Sequence, residues 1–297
     1  MIDLSKLTTE SRNPLTMNLD EMTPIEIARI MNREDETVIQ AIEEVLPQIA
    51  QAIEWAGESL KTGGRIIYVG AGTSGRLGVL DAVECPPTFG VPAQMVVGLI
   101  AGGENAFVQA VEGAEDSETL CGEELKSIGL TKEDIVIGLA ASGRTPYVIY
   151  GLRYARLAGC KTVAISCNRD SAIGKEADLA IEPVTGPEVL TGSTRLKAGT
   201  AQKMILNMIS TGSMIRIGKV YQNLMVDVRQ SNEKLVVRSQ NILMTATGCD
   251  RKEARTVLEQ ADGHVKTAVI MILSDCDAQE AREKLLIAGG NVRQALK

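Results

Sequence analysis

The chain has very few histidines and aromatic residues. Its 297 residues include a single histidine, His264, one tryptophan and two phenylalanines. One histidine is too few for a histidine-rich metal site, and it leaves no Ser-His-Asp or Cys-His nucleophile unless His264 takes part. Aromatic residues make up only 3% of the chain, which argues against a nucleic-acid surface built on base stacking. No apolar run is long enough to cross a bilayer.

The six cysteines are scattered, and no two of them form a Cys-x-x-Cys pair. The first residues include Asp3 and Glu10 and no apolar stretch, so we expect no secretory signal and free thiols in a reducing cytoplasm. The formal net charge of −7 offers no general attraction to nucleic acid or to an anionic membrane. An anionic ligand must therefore be held by a local group of donors.

The stretch from Ile66 to Glu84 combines three features that often occur together at a ligand site. An apolar run at residues 66–69 predicts a strand, a Gly-Ala-Gly-Thr-Ser-Gly turn follows, and apolar residues at helical spacing predict a helix after it. The unpaired N–H groups at the start of such a helix suit an anion, most often a phosphate. We expect Pro86 and Pro87 to stop the helix just after Glu84.

Apolar strands alternate with helices over the middle of the chain, which predicts a parallel sheet covered on both faces. The further predicted strands are residues 95–100, 134–139, 162–166 and 179–181. Before the sheet, a helix is expected to begin at Thr23-Pro24, and a longer one to run from about Asp35 to Leu60 with a kink at Pro47. The predicted division of the chain is an N-terminal arm with helices at 1–50, an α/β domain at 51–240 and a helical subdomain at 241–297.

Ser-Gly-Arg follows two of these strands, first at residues 74–76 and again at residues 142–144. The carboxyl ends of parallel strands meet at one edge of a sheet, where open α/β sheets bind their ligands. A third turn rich in hydroxyl groups, residues 193–200, precedes an apolar helix. Hydroxyls and backbone N–H groups can surround a phosphate without a metal. The predicted substrate-binding residues are Thr73, Ser74, Gly75, Ser142, Gly143, Thr145, Ser193 and Lys197.

Other interpretations of these residues remain open at this point. The Gly-x-Gly-x-x-Gly pattern also occurs in dinucleotide sites, but the next strand ends in Ala101-Gly102-Gly103 rather than in an acidic residue. Each Ser/Thr turn taken alone is equally well explained as an ordinary helix cap. Glu84 and Glu115 are a candidate proton-transfer pair, although most glutamates are solvated surface carboxylates. About 15 Å of helix separates Ser74 from Glu84, so Glu84 is a candidate for the site of a neighbouring subunit.

Five longer segments of the sequence closely resemble a known family: GAGTSGRLGVLDAVECPPTFG, GLIAGGENA, AVEGAEDS, AASGRTPYV and LTGSTRLKAGTAQK. They resemble the N-acetylmuramic acid 6-phosphate etherases, and the likeness extends over nearly the whole chain. It implies a sugar isomerase (SIS) domain, an α/β parallel-sheet sandwich flanked by helices, with a small C-terminal helical bundle similar to a ubiquitin-associated fold. It also implies a cytoplasmic homodimer with a shared active site that works without a metal or other cofactor.

The resemblance further implies a reaction and two catalytic residues. The family cleaves the D-lactyl ether of N-acetylmuramic acid 6-phosphate by elimination and then adds water, giving N-acetylglucosamine 6-phosphate and D-lactate. Glu84 corresponds to the acid at the ether oxygen and then the base for water, and Glu115 to the base at C2. A phosphosugar isomerase and a non-catalytic phosphosugar-binding regulator remain alternatives, since both would use the same phosphate turns. Neither nucleic acid nor a membrane is an expected partner.

Overall fold

The computed structural model describes residues 7–109, 111–228 and 233–297. The strands are β1 (Ile66–Gly70), β2 (Val96–Ile100), β3 (Ile135–Leu139), β4 (Lys161–Ile165), β5 (Leu179–Ile181), β6 (Val220–Tyr221) and β7 (Leu224–Met225). The first helices are α1 (Pro24–Glu43), α2 (Leu46–Lys61), α3 (Gly72–Phe89), α4 (Asn105–Val108), α5 (Leu120–Ser127), α6 (Pro146–Leu157) and α7 (Ala172–Glu176). The later helices are α8 (Lys197–Arg216), α9 (Glu233–Thr247), α10 (Arg251–Gln260), α11 (Val265–Ser274), α12 (Ala278–Ile287) and α13 (Val292–Ala295).

The predicted parallel sheet is confirmed. Five strands pair in the order β2-β1-β3-β4-β5, and every pairing is parallel. All five residues of β1 and of β3 are buried, as expected for central strands with helices on both faces. No helix among the described residues is both long enough and apolar enough to cross a membrane.

The first helix before the sheet begins as predicted, but the second begins at Leu46 rather than near Asp35. Thr23 and Glu26 form a capping box at the start of α1, with Pro24 in its first turn. The helix then continues to Glu43, and the chain breaks at Glu44 and Val45 rather than bending at Pro47. Pro47 instead occupies the first turn of α2, where its missing N–H removes no hydrogen bond.

The expectation that Pro86 and Pro87 stop the third helix is wrong. α3 continues through both prolines to Phe89. Cys85 and Phe89 are buried on this last turn, and Gly90 N–H donates to the carbonyl of Pro86 at 2.9 Å. Packing of the buried face therefore offsets the two N–H groups that the prolines lack.

Residues 219–240 are not one helix, as the sequence suggested, but begin with a small hairpin. β6 and β7 pair antiparallel, and α9 starts only at Glu233. The three expected helices after residue 247 are present as α10, α11 and α12, and the short α13 follows them. Asp250 and Asp277 cap α10 and α12 with their carboxylates, which is why these short helices begin where they do.

The chain packs as two compact units, and the predicted three-part division stays a prediction. The first unit holds the described residues of Met1–Ala82 and Gln94–Ser210, and the second those of Val83–Ala93 and Thr211–Lys297. The first unit has its core on the sheet, around residues such as Ile67, Val136 and Leu152. The second has a separate core under the hairpin and the C-terminal helices, around Leu243 and Ile270.

Candidate active site

Two Ser-Gly-Arg turns lie side by side at one edge of the sheet. Gly70 at the end of β1 is paired with Leu139 at the end of β3, so the segments that follow both strands leave the sheet at the same level. In the order β2-β1-β3, the connections from β1 and β3 diverge at this point. Such a switch point is where open α/β sheets form a ligand crevice. The predicted convergence of these two turns is therefore confirmed.

The turn after β1 brings the start of α3 very close to the strand. A Cβ on Gly75 would lie 2.6 Å from the carbonyl oxygen of Gly70 and 2.7 Å from Ile100 Cγ1, so only glycine fits there. Ser74 is buried, and its Oγ donates to Gln202 Oε1 of α8 at 2.8 Å. A Cβ on Gly199 would lie 3.6 Å from Thr73 Cγ2. The starts of α3 and α8 are thus neighbours, with Thr73 and Ser74 between them.

The turn after β3 is equally constrained. Gly143 has φ +74°, and a Cβ on it would lie 2.4 Å from Ser171 Cβ. Thr145 is the N-cap residue of α6, and Ser142 lies just ahead of it, partly exposed. The starts of α3 and α6 therefore lie at the same edge of the sheet, and the partial positive charge of a helix N-terminus favours an anion there.

Replacing Gly143 by alanine is expected to destabilise the first unit and to weaken ligand binding. The positive φ costs about 1–2 kcal/mol for any L-residue, and the overlap with Ser171 adds to it. Gly129→Ala is the matched control, because Gly129 has φ +64° and open space around its Cβ position. Thermal melting should show a larger loss for Gly143→Ala than for Gly129→Ala; equal losses would mean that Ser171 moves aside freely.

Asn168, just after β4, connects the second turn to the N-terminal segment. Its Nδ2 donates to the carbonyls of Ala141 at 3.2 Å and Ser142 at 3.4 Å, and to Thr9 Oγ1 at 3.0 Å. Its Oδ1 accepts from the backbone N–H of Thr8 at 2.8 Å. Asn168 and Thr9 are buried, so Thr8 and Thr9 are held beside the Ser142 turn by Asn168.

The start of α8 already carries a carboxylate from this chain. Glu188 accepts from the backbone N–H groups of Lys197 at 2.9 Å and Ala198 at 3.0 Å. Burial is the main cause that raises the pKa of this carboxyl. Lys197 is 1% exposed, and its ammonium lies 2.9 Å from Glu34 Oε2. A direct contact of Lys197 or Ser193 with a ligand stays a prediction, and the Lys197–Glu34 ion pair makes it testable.

A buried carboxyl fixes α3 to its neighbours. Tyr68 Oη of β1 donates to Asp81 Oδ2 at 2.9 Å, and Asn207 Nδ2 of α8 donates to Oδ1 at 2.7 Å. Ser210 Oγ is a third donor, at 3.1 Å from Oδ1. Burial raises the pKa of Asp81, although the three donors act in the opposite direction. These bonds hold the middle of α3 to β1 and α8.

A cavity of about 230 Å³ opens beside the β1 turn. Its described lining residues are Ala71, Gly72, Arg76, Ala101, Ala106, Val111, Glu112, Gly113 and Glu115. Glu115 sits on a 3-10 turn, Ala114–Asp116, whose Ala114 packs on the core below. Glu115 is exposed on this turn and is one of two acidic residues among the described residues that line the cavity.

Glu84 lies elsewhere on α3. It is exposed near the C-terminal end of the helix, about 15 Å along the axis from Ser74. Arg76, Leu80 and Glu84 follow one another at four-residue spacing and so share a face of the helix. Its catalytic role stays a prediction, as does that of Glu115.

Two contacts of this site were missed at the sequence level. Gln202, the partner of Ser74, lies within the LTGSTRLKAGTAQK segment, so the segment carried a signal for it. Its Nε2 is buried without a hydrogen-bond acceptor among the described residues. Asn168 lay outside every motif, because its partners are 160 positions away in the N-terminal segment.

Comparison with known proteins identifies domain families that this chain matches. A model of the glucokinase regulatory protein N-terminal SIS domain matches residues 38–156, and a SIS domain model matches residues 123–211. Among solved structures, a phosphoheptose isomerase from Francisella tularensis superposes with a TM-score of 0.50 at 16% identity, covering 65% of this chain and 100% of its own. That likeness shows the fold.

Similarity to curated proteins is much higher. The N-acetylmuramic acid 6-phosphate etherase of Pectobacterium atrosepticum is 60% identical over 271 residues, which covers 91% of this chain and 89% of that protein. The etherase of Serratia proteamaculans is also 60% identical, and that of Salmonella typhi 59%, each with 91% of both chains covered. The chain therefore belongs to the N-acetylmuramic acid 6-phosphate etherase family.

Proposed function

We propose that the chain cleaves the D-lactyl ether of N-acetylmuramic acid 6-phosphate and releases D-lactate and N-acetylglucosamine 6-phosphate. The observation that carries this proposal is the paired Ser-Gly-Arg turns beside a cavity that contains Glu115. The turns offer a phosphate site and the cavity offers a carboxylate. High identity to etherases over 91% of the chain agrees with both.

The proposed chemistry needs two carboxyl groups and no redox step. Ring opening exposes an aldehyde at C1, which acidifies the proton on C2. Glu115 takes that proton as the C3–O bond breaks, and Glu84 gives a proton to the departing ether oxygen. Lactate leaves with its own oxygen. Glu84 then takes a proton from water as its oxygen adds at C3 of the unsaturated aldehyde, and Glu115 returns its proton to C2.

The 6-phosphate is held, in this proposal, by the two turns. Thr73, Ser74 and Gly75 line one side, and Ser142, Gly143 and Thr145 the other. Ser193 and Lys197, at the start of α8, complete the proposed set. The buried Gln202 Nε2 beside Ser74 is a donor that a substrate oxygen would satisfy.

The active site is proposed to be shared between two copies of the chain. A cavity of about 230 Å³ is smaller than most ligand pockets, which enclose about 300–1,000 Å³. Leu80 and Val83, on the same side of α3 as Glu84, are 45% and 57% exposed. A second copy covering this apolar face would close the cavity and bring Glu84 of the partner subunit to it.

The proposed reaction is tested by incubation with N-acetylmuramic acid 6-phosphate in ¹⁸O-labelled water. Elimination and hydration predict unlabelled D-lactate and one labelled oxygen at C3 of the sugar product. An isomerase would yield a ketose without lactate, and a regulator would bind the sugar without turnover. Labelled lactate would mean that water attacks the lactyl carbon, and the proposed mechanism would then be wrong.

Ser142→Ala is expected to raise KM on the order of 10-fold with a small change in kcat, because one hydrogen bond to a charged group is lost. Ser127→Ala, at the exposed end of α5, is the control. Steady-state kinetics and titration with N-acetylglucosamine 6-phosphate should both report the loss. An unchanged KM would remove Ser142 from the phosphate site.

A further inference from the structure

Arg76 lies in the cavity but has no part in the chemistry described so far. It is the only cation among the described residues that line the cavity, where it faces Glu112 and Glu115. Its Nε donates to the carbonyl of Phe107 at 2.9 Å. That bond fixes the plane of the guanidinium and leaves its two terminal nitrogens as the fork that binds carboxylates.

The position of Arg76 separates it from the phosphate turn after β3. Phe107 belongs to α4, in the segment that follows β2. β2 and β3 flank β1 on opposite sides. The hydrogen bond to Phe107 therefore holds the Arg76 side chain to the segment after β2, and the cavity that Arg76 lines has Glu115, but not Ser142, among its described lining residues.

The substrate carries two anionic groups, and only one has a binding site so far. Besides the phosphate there is the lactyl carboxylate, which is one carbon away from the ether oxygen. That carboxylate must lie close to the groups that act at C2 and C3, and it would meet the negative charges of Glu112 and Glu115 there. A cation at the same place offsets this repulsion.

We propose that Arg76 binds the lactyl carboxylate and is the residue by which the site distinguishes the lactyl ether from other hexosamine 6-phosphates. This inference rests on the proposed function, because it takes the ether as substrate. Arg76 then contributes to binding of the substrate but not of the sugar product, which has lost the carboxylate. A residue that bound the 6-phosphate would instead contribute to binding of both the substrate and the sugar product.

The test compares two ligands on Arg76→Gln and Arg76→Lys. For Arg76→Gln, kcat/KM for N-acetylmuramic acid 6-phosphate should fall on the order of 10- to 100-fold, the range of a lost charge-assisted hydrogen bond. The Kd of N-acetylglucosamine 6-phosphate, measured by calorimetry, should change less than about twofold. Arg76→Lys keeps the positive charge but loses the two-nitrogen fork, so its kcat/KM should lie between those of wild type and Arg76→Gln. Arg255→Gln, an exposed arginine on α10, is the control.

A second measurement removes the carboxylate charge from the ligand instead. With wild-type protein, kcat/KM for the lactyl amide analogue should be lower than kcat/KM for the acid by about the same factor that Arg76→Gln causes with the acid. With the amide as substrate, Arg76→Gln should lower kcat/KM little further. Equal weakening of both sugars by Arg76→Gln, or additive losses in this cycle, would overturn the inference. Absence of lactate release by wild-type protein would instead refute the proposed function, while retained product binding shows that the variants fold.

Discussion

Glu84→Gln should reduce D-lactate release on the order of 10²- to 10⁴-fold, the usual contribution of a positioned acid or base. The glutamine has the shape of the glutamate but cannot give a proton to the ether oxygen. Because Glu84 is exposed on α3, the fold should be unaffected. The measurement is lactate release under saturating N-acetylmuramic acid 6-phosphate, with circular dichroism and thermal melting as checks on folding.

The matched control is Glu36→Gln, which removes one exposed carboxylate from α1 and should leave the rate unchanged. Release within about twofold of wild type by Glu84→Gln would mean that another group protonates the ether oxygen. A normal affinity for N-acetylglucosamine 6-phosphate is expected throughout, since the phosphate turns are intact.

Mixing inactive variants asks whether Glu84 acts in the partner's site. In a mixed dimer of Glu84→Gln and Glu115→Gln subunits, one of the two shared sites has both glutamates intact and the other has neither. Random reassociation of equal amounts would then restore about a quarter of wild-type activity. If Glu84 served its own subunit, no site would be complete and the mixture would stay inactive.

The sequence predicted the sheet well because short-range chemistry decides it. Short apolar runs such as residues 66–70 and 135–139 are typical of buried strands, and small residues follow each of them in the turn. The prediction that Pro86 and Pro87 end α3 is wrong because it rests on the local preference of proline and leaves out tertiary packing. Cys85 and Phe89 bury the last turn of α3, and a window of sequence does not show what covers them.

The site was predictable only where its members are close in sequence. The two turns each hold their own hydroxyls and glycines, and parallel pairing brings them to one edge. Hydrogen bonds between residues far apart in the sequence could not be predicted from such local patterns. Glu34 lies 163 positions from Lys197, and Asn168 lies 160 positions from Thr8. The buried ion pair of Lys197 with Glu34 could therefore not be predicted from the hydroxyl-rich turn, while a contact of Lys197 with a ligand stays a prediction.

Lys197→Met is expected to lower the stability of the chain by about 3–5 kcal/mol, because it leaves the carboxylate of Glu34 buried without its cation. Glu34 would keep only the bond from Asn13 Nδ2, at 2.7 Å. The melting temperature should fall by roughly 10 °C. Arg169→Met is the matched control: it breaks the exposed pair with Glu44, at 3.2 Å, and should cost less than about 1 kcal/mol.

Adding Glu34→Gln to Lys197→Met separates the two roles that Lys197 can have. The double variant buries no unpaired charge, so its melting temperature should return most of the way to wild type. If Lys197→Met raises KM for the substrate and the double variant restores it, Lys197 acts by holding α8 to α1. The Lys197–Glu34 pair then positions the turn that contains Ser193. If KM stays high in a protein of restored stability, Lys197 contacts the substrate directly. Melting of the single variant at the wild-type temperature would show that the pair contributes no stability, and the buried ammonium would then have to be explained by function alone.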